Sequence, residues 1–122
     1  MGIDIYAEWD GQTEAEHEKQ ISSWLCAWSG DAGYLREAYC GGPYATRFLV
    51  AEAFENGEAR IPAASLRERL PHTLALAEER ERKFASEEED IERTKQSYRD
   101  FVALCERAED ETGRPVRIVA SY

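Results

Sequence analysis

The sequence predicts an α+β domain: a small antiparallel sheet of about three strands, near 2–9, 34–39 and 115–121, packed with helices. Two observations carry that expectation. Apolar and polar residues alternate at both ends of the chain, as they do along a strand with one wet face. Between them, residues 63–112 place apolar side chains at helical spacing, with Pro62 before the run and Gly113 after it. The length of 122 residues fits a single domain over 1–122, long enough to bury a core without disulfide staples.

Each element has its own warrant. Ile3, Ile5, Ala7 and Trp9 fall on one face of the first strand, with Asp4, Tyr6 and Glu8 on the other, and Asp10-Gly11 turns the chain. Thr13-x-x-Glu16 is a capping box, and the helix behind it is expected to reach about Ala27. Its Ile21, Trp24, Leu25 and Trp28 share one face, so they read as core, and Trp9 with them. Glu14, Glu16 and Glu18 suit the positive end of that helix. Ser29–Gly33 is a loop, Tyr34–Tyr39 a second strand, and Cys40-Gly41-Gly42-Pro43 a break. Pro43 fits the first position of a helix from Tyr44 to about Glu55. The competing reading is a strand over Arg47–Phe54, with Asn56-Gly57 as a hairpin turn. Val116, Ile118, Ala120 and Tyr122 share a face of the last strand, which is expected to pair with the first.

The region 63–112 allows two architectures. Leu70, Ala77, Phe84, Ile91, Tyr98 and Cys105 recur at sevens, and Thr73, Arg80, Glu87, Thr94, Phe101 and Ala108 hold the partner positions. The unbroken register argues for one long helix. The polar middle and a second box, Ser86-x-x-Glu89, argue for a break near Ser86 and a helical hairpin. Pro71 either kinks this stretch or begins a new helix.

Composition narrows function. The net charge is −10, from 25 acids against 15 bases, which favours solubility and repels phosphate backbones. Direct nucleic-acid binding is therefore not expected. Three cysteines at no zinc spacing, and no apolar leader, suggest reduced thiols and a cytoplasmic location. No apolar run is long enough for a membrane span. The common nucleotide, hydrolase and metalloprotease signatures are missing. No catalytic residue, metal or cofactor is assigned on this basis, and the expectation is a non-enzymatic protein. His17 and His72 read as surface residues, and Cys40 as a buried structural thiol.

Two segments are candidate sites. The first is acidic: Glu78, Glu79, Glu81, Glu87, Glu88, Glu89, Asp90 and Glu92 stand against Arg80, Arg82 and Lys83. A charge run is commonly a solvated helix face. On a rigid helix the same carboxylates would repeat regularly and could occupy a basic groove, as a nucleic-acid mimic does. The second is Gly41–Arg47. A helix starting at Pro43 would offer free N–H groups which, with Arg47, could hold an anion, while Tyr39 and Tyr44 stack on a flat ligand beside Gly41 and Gly42. A structural reading, a homo-oligomer joined through the Leu70–Cys105 seam, is the further alternative, so monomer and homodimer both stay open.

Three blocks carry a resemblance: Met-Gly-Ile-Asp-Ile-Tyr-Ala-Glu-Trp-Asp-Gly-Gln-Thr at the start, Gly-Tyr-Leu-Arg-Glu-Ala-Tyr-x-Gly-Gly-Pro-Tyr-Ala-Thr-Arg from Gly33, and Gly-Arg-Pro-Val-Arg-Ile-Val-Ala-Ser-Tyr at the end. In these the chain resembles a family of small uncharacterised proteins of bacteria and their phages. The resemblance implies a mobile-element setting and carries over no catalytic residue. By analogy with anti-CRISPR proteins, the expected partner is a host protein with a basic surface, such as a Cas protein.

Overall fold

The two ends of the chain meet in the middle of one sheet. In the computed structural model, which describes residues 2–24 and 26–122, the order is β1 (Gly2–Glu8), α1 (Glu14–Ser22), a 3-10 turn (Gly30–Ala32), β2 (Tyr34–Ala38), α2 (Ala45–Leu49), α3 (Ala53–Asn56), β3 (Glu58–Ile61), α4 (Ala63–Lys83), α5 (Glu88–Thr112) and β4 (Val116–Ser121). The sheet order is β2-β1-β4-β3, antiparallel throughout. β1 pairs with β4 as the sequence predicts, with Ile5 opposite Ala120 and Ala7 opposite Ile118. Their alternation resolves into one inner face: Ile3, Ile5, Ala7, Val116, Ile118 and Ala120 are buried against α2–α5.

The fourth strand, β3, is a finding beyond the expected three. It has four residues, and only Ala59 and Ile61 of them are apolar, too short a run to show a period. Gly57 ends α3 ahead of it, so Asn56-Gly57 is a helix cap rather than a hairpin turn. Residues 45–56 are helical, in two short pieces, and the competing strand is not formed. Tyr44 is the N-cap of α2, so Pro43 lies one residue outside the helix instead of opening it.

The long region is a hairpin. α4 runs through Pro71 without interruption, and the chain reverses over residues 84–87, where Ala85 takes a left-handed φ of 53°. Leu70 and Ala77 on α4 then face Ile91, Tyr98 and Cys105 on α5, all buried, while Phe84 and Glu87 in the connection are exposed. The register of sevens across the middle thus spans a turn. The second capping box does not form: Glu87 is the N-cap, and the Ser86 hydroxyl donates to Glu81 Oε2 at 2.6 Å. Gly113 closes α5 with a φ of 73°, the conformation that favours glycine after a helix. No helix among the described residues is long and apolar enough to cross a membrane.

α1 departs most from expectation. It ends at Ser22, and Ile21, Trp24 and Trp28 are exposed by 54%, 60% and 41% instead of packing in the core. Leu25 lies outside the described residues. The helix is anchored by an amide: Gln20 Nε2 donates to Ala7 O at 2.7 Å and to Gly33 O at 2.9 Å. Next to it the 3-10 turn touches α5 closely. A Cβ on Gly30 would overlap the Ser97 carbonyl, and Gly30 N–H donates to Ser97 Oγ at 2.9 Å. Trp9 is half-buried against the core.

The inner face also buries a charge pair. Glu37 of β2 points inward, accepting from Ala45 N at 2.8 Å, Thr46 N at 3.2 Å and Thr46 Oγ1 at 2.5 Å. Arg80 of α4 stands 3.8 Å away, and the side chains of both are nearly fully buried. The Arg80 guanidinium donates to Ala38 O, Gly41 O and Pro43 O.

Removing one partner of a buried pair costs more than removing a surface pair. Arg80→Met is expected to destabilise the protein by about 3–5 kcal/mol in urea unfolding, since it leaves the Glu37 charge buried without its counter-ion and removes donors from the Gly41 and Pro43 carbonyls. Arg93→Ala, which breaks an exposed pair with Glu89, should leave the midpoint nearly in place. Equal effects would mean the buried pair contributes no more than a surface contact.

Candidate functional site

The acidic segment is divided by the turn. Glu78 pairs with Lys95 at 2.9 Å and Arg82 at 3.4 Å, Glu88 with Arg82 at 2.6 Å, Glu89 with Arg93 at 3.2 Å, and Glu92 with Lys95 at 3.6 Å. Lys95, then Arg82, holds the Glu78 carboxyl below the usual range. Glu81 accepts from Ser86. Among the described residues only Glu79, Glu87 and Asp90 of the eight lack an ion pair or side-chain hydrogen bond. The carboxylates cluster at a hairpin tip, and the regular array expected on one rigid helix is not formed, because the chain reverses within the run.

The Gly41–Arg47 loop also differs from its expected form. The N–H groups of Ala45 and Thr46 are taken by Glu37, and α2 is only five residues long. The Gly41 and Gly42 carbonyls accept from Arg80 and Lys83. Arg47 lies over the Phe54 ring at 4.8 Å and over the Tyr44 and Tyr122 rings at 5.5 Å, and it donates to Tyr39 Oη at 3.5 Å. Tyr39 and Tyr44 meet edge-on at 6.1 Å. The donors, the arginine and the rings are engaged with one another, so the open anion cradle is absent.

What the structure adds is a groove beside α1. The second face of the sheet is only partly covered. It carries Asp4 paired with Arg36 at 2.7 Å, and Glu8 and Glu58 sharing Arg117 at 2.7 and 3.0 Å. Between this face and α1 lies a cavity of about 400 Å³, lined by Tyr6, Glu8 and Val119 from the strands, by His17, Gln20 and Ile21 from the helix, and by Trp24 in the turn just after it. His17 is three and four residues from Gln20 and Ile21, so the three share one stripe of α1, and Trp24 follows directly after the helix end. Tyr6 stacks on Tyr34 at 5.2 Å, and burial, then Asp4, raises its phenol pKa. Gln20 is almost wholly buried, and the Ala7 and Gly33 carbonyls orient its amide. Its Oε1 accepts no hydrogen bond from the described residues. A mostly apolar concavity with a few convergent polar groups is the usual form of a binding site.

The sequence reading missed this groove because the helix stripe looked like core. The one legible signal was the tryptophans, Trp24 and Trp28, close behind a glutamate-rich helix. His72 packs edge-on to Phe48 at 4.5 Å, far in sequence from His17. Among the described residues no three His, Cys, Asp or Glu side chains are placed to hold a metal ion.

These features define an α+β protein with its helical core on one sheet face and an aromatic-lined groove on the other. Comparison with protein families, curated proteins and solved structures finds no match.

The thiols provide a check on the packing. Cys105 is buried in α5, and burial, with Glu109 and Glu106, pushes its thiol pKa up. Cys26 and Cys40 are exposed, which corrects the expectation of a buried Cys40, and hydrogen bonds from Ser29 and Trp28 lower the Cys26 pKa. Iodoacetamide on the native protein should label Cys26 first and Cys40 next, with Cys105 reacting only in urea, as read by peptide mass mapping. Labelling of native Cys105 would contradict the α4–α5 packing.

Proposed function

We propose that the protein is a non-enzymatic binding module that docks on a basic surface of a partner protein. The observation that supports this reading is the groove: Ile21 and Trp24 stay more than half exposed beside it on an otherwise strongly acidic surface. Large apolar side chains held in water mark interaction surfaces, and tryptophan is enriched among the residues that dominate binding energy. The surrounding charge indicates the sign of the partner. Residues 1–18 hold six acids and no Lys or Arg, in a chain of net charge −10. Complementary charge speeds encounter and rejects wrong partners, while the apolar anchor sets residence time.

In this reading the hairpin tip is an auxiliary field. Glu79, Glu87 and Asp90 contribute unpaired charge, and the remaining acids are partly neutralised by their neighbours. The resemblance to small bacterial and phage proteins makes a host nucleic-acid-handling protein, including a Cas protein, the proposed class of partner.

The test is capture from host lysate at low and high salt, read by mass spectrometry. Trp24→Ala and a variant with Glu87, Glu88, Glu89 and Asp90 changed to Gln run beside the parent. The expected result is a nucleic-acid-handling protein held at low salt, released at high salt, and lost with Trp24→Ala, with the tip variant weakening capture less. No specific partner at either salt, or capture indifferent to both variants, would overturn the proposal.

A further inference from the structure

We infer that the groove is a recognition pocket for an arginine side chain presented by the partner, an inference that rests on the binding-module reading for the partner's positive charge. Three features of the groove combine. The first is its rings. Exposed aromatics elsewhere on the molecule are engaged: Arg93 lies over Trp28 at 5.2 Å, Arg80 over Phe84 at 5.4 Å, Arg47 over Tyr122 at 5.5 Å and against Tyr39, and Phe48 meets His72. Among the described residues Trp24 is the exposed ring with neither a cation nor a second ring on it. A guanidinium stacks on indole better than any other side-chain cation.

The second feature is the acceptor. The Gln20 amide group is fixed by donating to Ala7 O and Gly33 O, so the oxygen is directed away from them. That oxygen is open to the groove and accepts from no donor among the described residues. An occupant that fills the groove strips water from this acceptor, and an acceptor so buried is costly to leave unpaired, so a fitting occupant brings an N–H or O–H. A leucine or phenylalanine anchor would not supply one. The third feature is charge. Glu8 lines the groove and shares its one cation, Arg117, with Glu58, and no Lys or Arg is among the lining residues. Glu14 and Glu18 sit one helical turn before His17 and Ile21, so they flank the same stripe.

Arginine satisfies all three conditions together. Its plane lies against Trp24, its in-plane N–H groups reach Gln20 Oε1 and the Glu8 carboxylate, and its aliphatic stem covers Ile21 and Val119. The cavity of about 400 Å³ admits one such side chain. A lysine ammonium is a compact, strongly hydrated charge and meets the first condition poorly.

The probes are Ac-Gly-Arg-Gly-NH2, Ac-Gly-Lys-Gly-NH2 and Ac-Gly-Leu-Gly-NH2, titrated to their solubility limits against the full chain. Indole and side-chain amide signals are followed by NMR. The expected result is saturable shifts at the Trp24 indole and the Gln20 amide with the arginine peptide, at least tenfold weaker binding of the lysine peptide, and none of the leucine peptide. Trp24→Ala, an exposed position that should leave the fold intact, is expected to remove the arginine response. Equal binding of arginine and lysine, saturation by leucine, no shift with any probe, or a response unchanged in Trp24→Ala would each overturn the pocket. If the arginine peptide fails while capture of a protein still depends on Trp24, the pocket fails and the binding module stands. If the peptide binds as expected and no protein is captured, the pocket stands and the module reading fails.

Discussion

The buried contact between Arg80 and Glu37 is the constraint on which the rest of the arrangement turns. Glu37 sits on the face of β2 that an apolar residue would ordinarily fill, opposite Ile3 across the strand pair. A lone carboxylate there would be intolerable. It is tolerated because α2 presents two backbone N–H groups and a hydroxyl to it, and because Arg80 brings the opposite charge from α4. The guanidinium in turn donates to the carbonyls of Ala38, Gly41 and Pro43. One pair of side chains thereby fixes three things: the end of β2, the path of the glycine-rich loop, and the seating of the hairpin on the sheet. It also explains why that loop is closed as a ligand site, since the groups that could hold an anion are holding each other.

The groove follows from the way the core is allotted. Placing the terminal strands β1 and β4 at the centre of the sheet lets α2–α5 cover one face continuously. No comparable helical layer remains for the other face. The ion pairs of Asp4 with Arg36, and of Glu8 and Glu58 with Arg117, make that face compatible with water. α1 borders it, held mainly through Gln20 rather than through apolar packing. A helix anchored by an amide can leave Ile21, and Trp24 just after it, outside, and the space between them and the sheet is the groove.

Much of the fold was legible because it rests on period. The alternation at residues 3–7 and 116–120 gave the two central strands, their pairing and their inner face. The hairpin was undecided because Leu70 to Cys105 keep a single register through the turn. The deciding residue is Ala85, whose left-handed backbone has no sequence signature. β3 was invisible for want of length. The candidate site was not legible for a different reason. Ile21, Trp24 and Trp28 have the spacing of a core stripe, and spacing cannot say whether an apolar face has a partner. That depended on Gln20, a polar residue buried within the stripe, whose role becomes visible only once Ala7 and Gly33 are near it.

The bases of this chain are arginine apart from Lys19, Lys83 and Lys95, and several sit on aromatic faces: Arg47 on Phe54, Arg80 on Tyr44, Arg93 on Trp28. Such placement uses the flat, weakly hydrated character of the guanidinium, which both covers apolar carbon and keeps its hydrogen bonds. A surface built this way leaves little bare ring to water. Trp24 departs from the pattern at the place where the Gln20 oxygen also opens on the groove and two carboxylates share one cation. Each departure alone has an ordinary explanation, since single exposed rings and half-paired acids are common on protein surfaces. Their convergence on one concavity, lined from β1, β4 and the α1 segment, is what separates a surface prepared for a partner from a surface merely exposed.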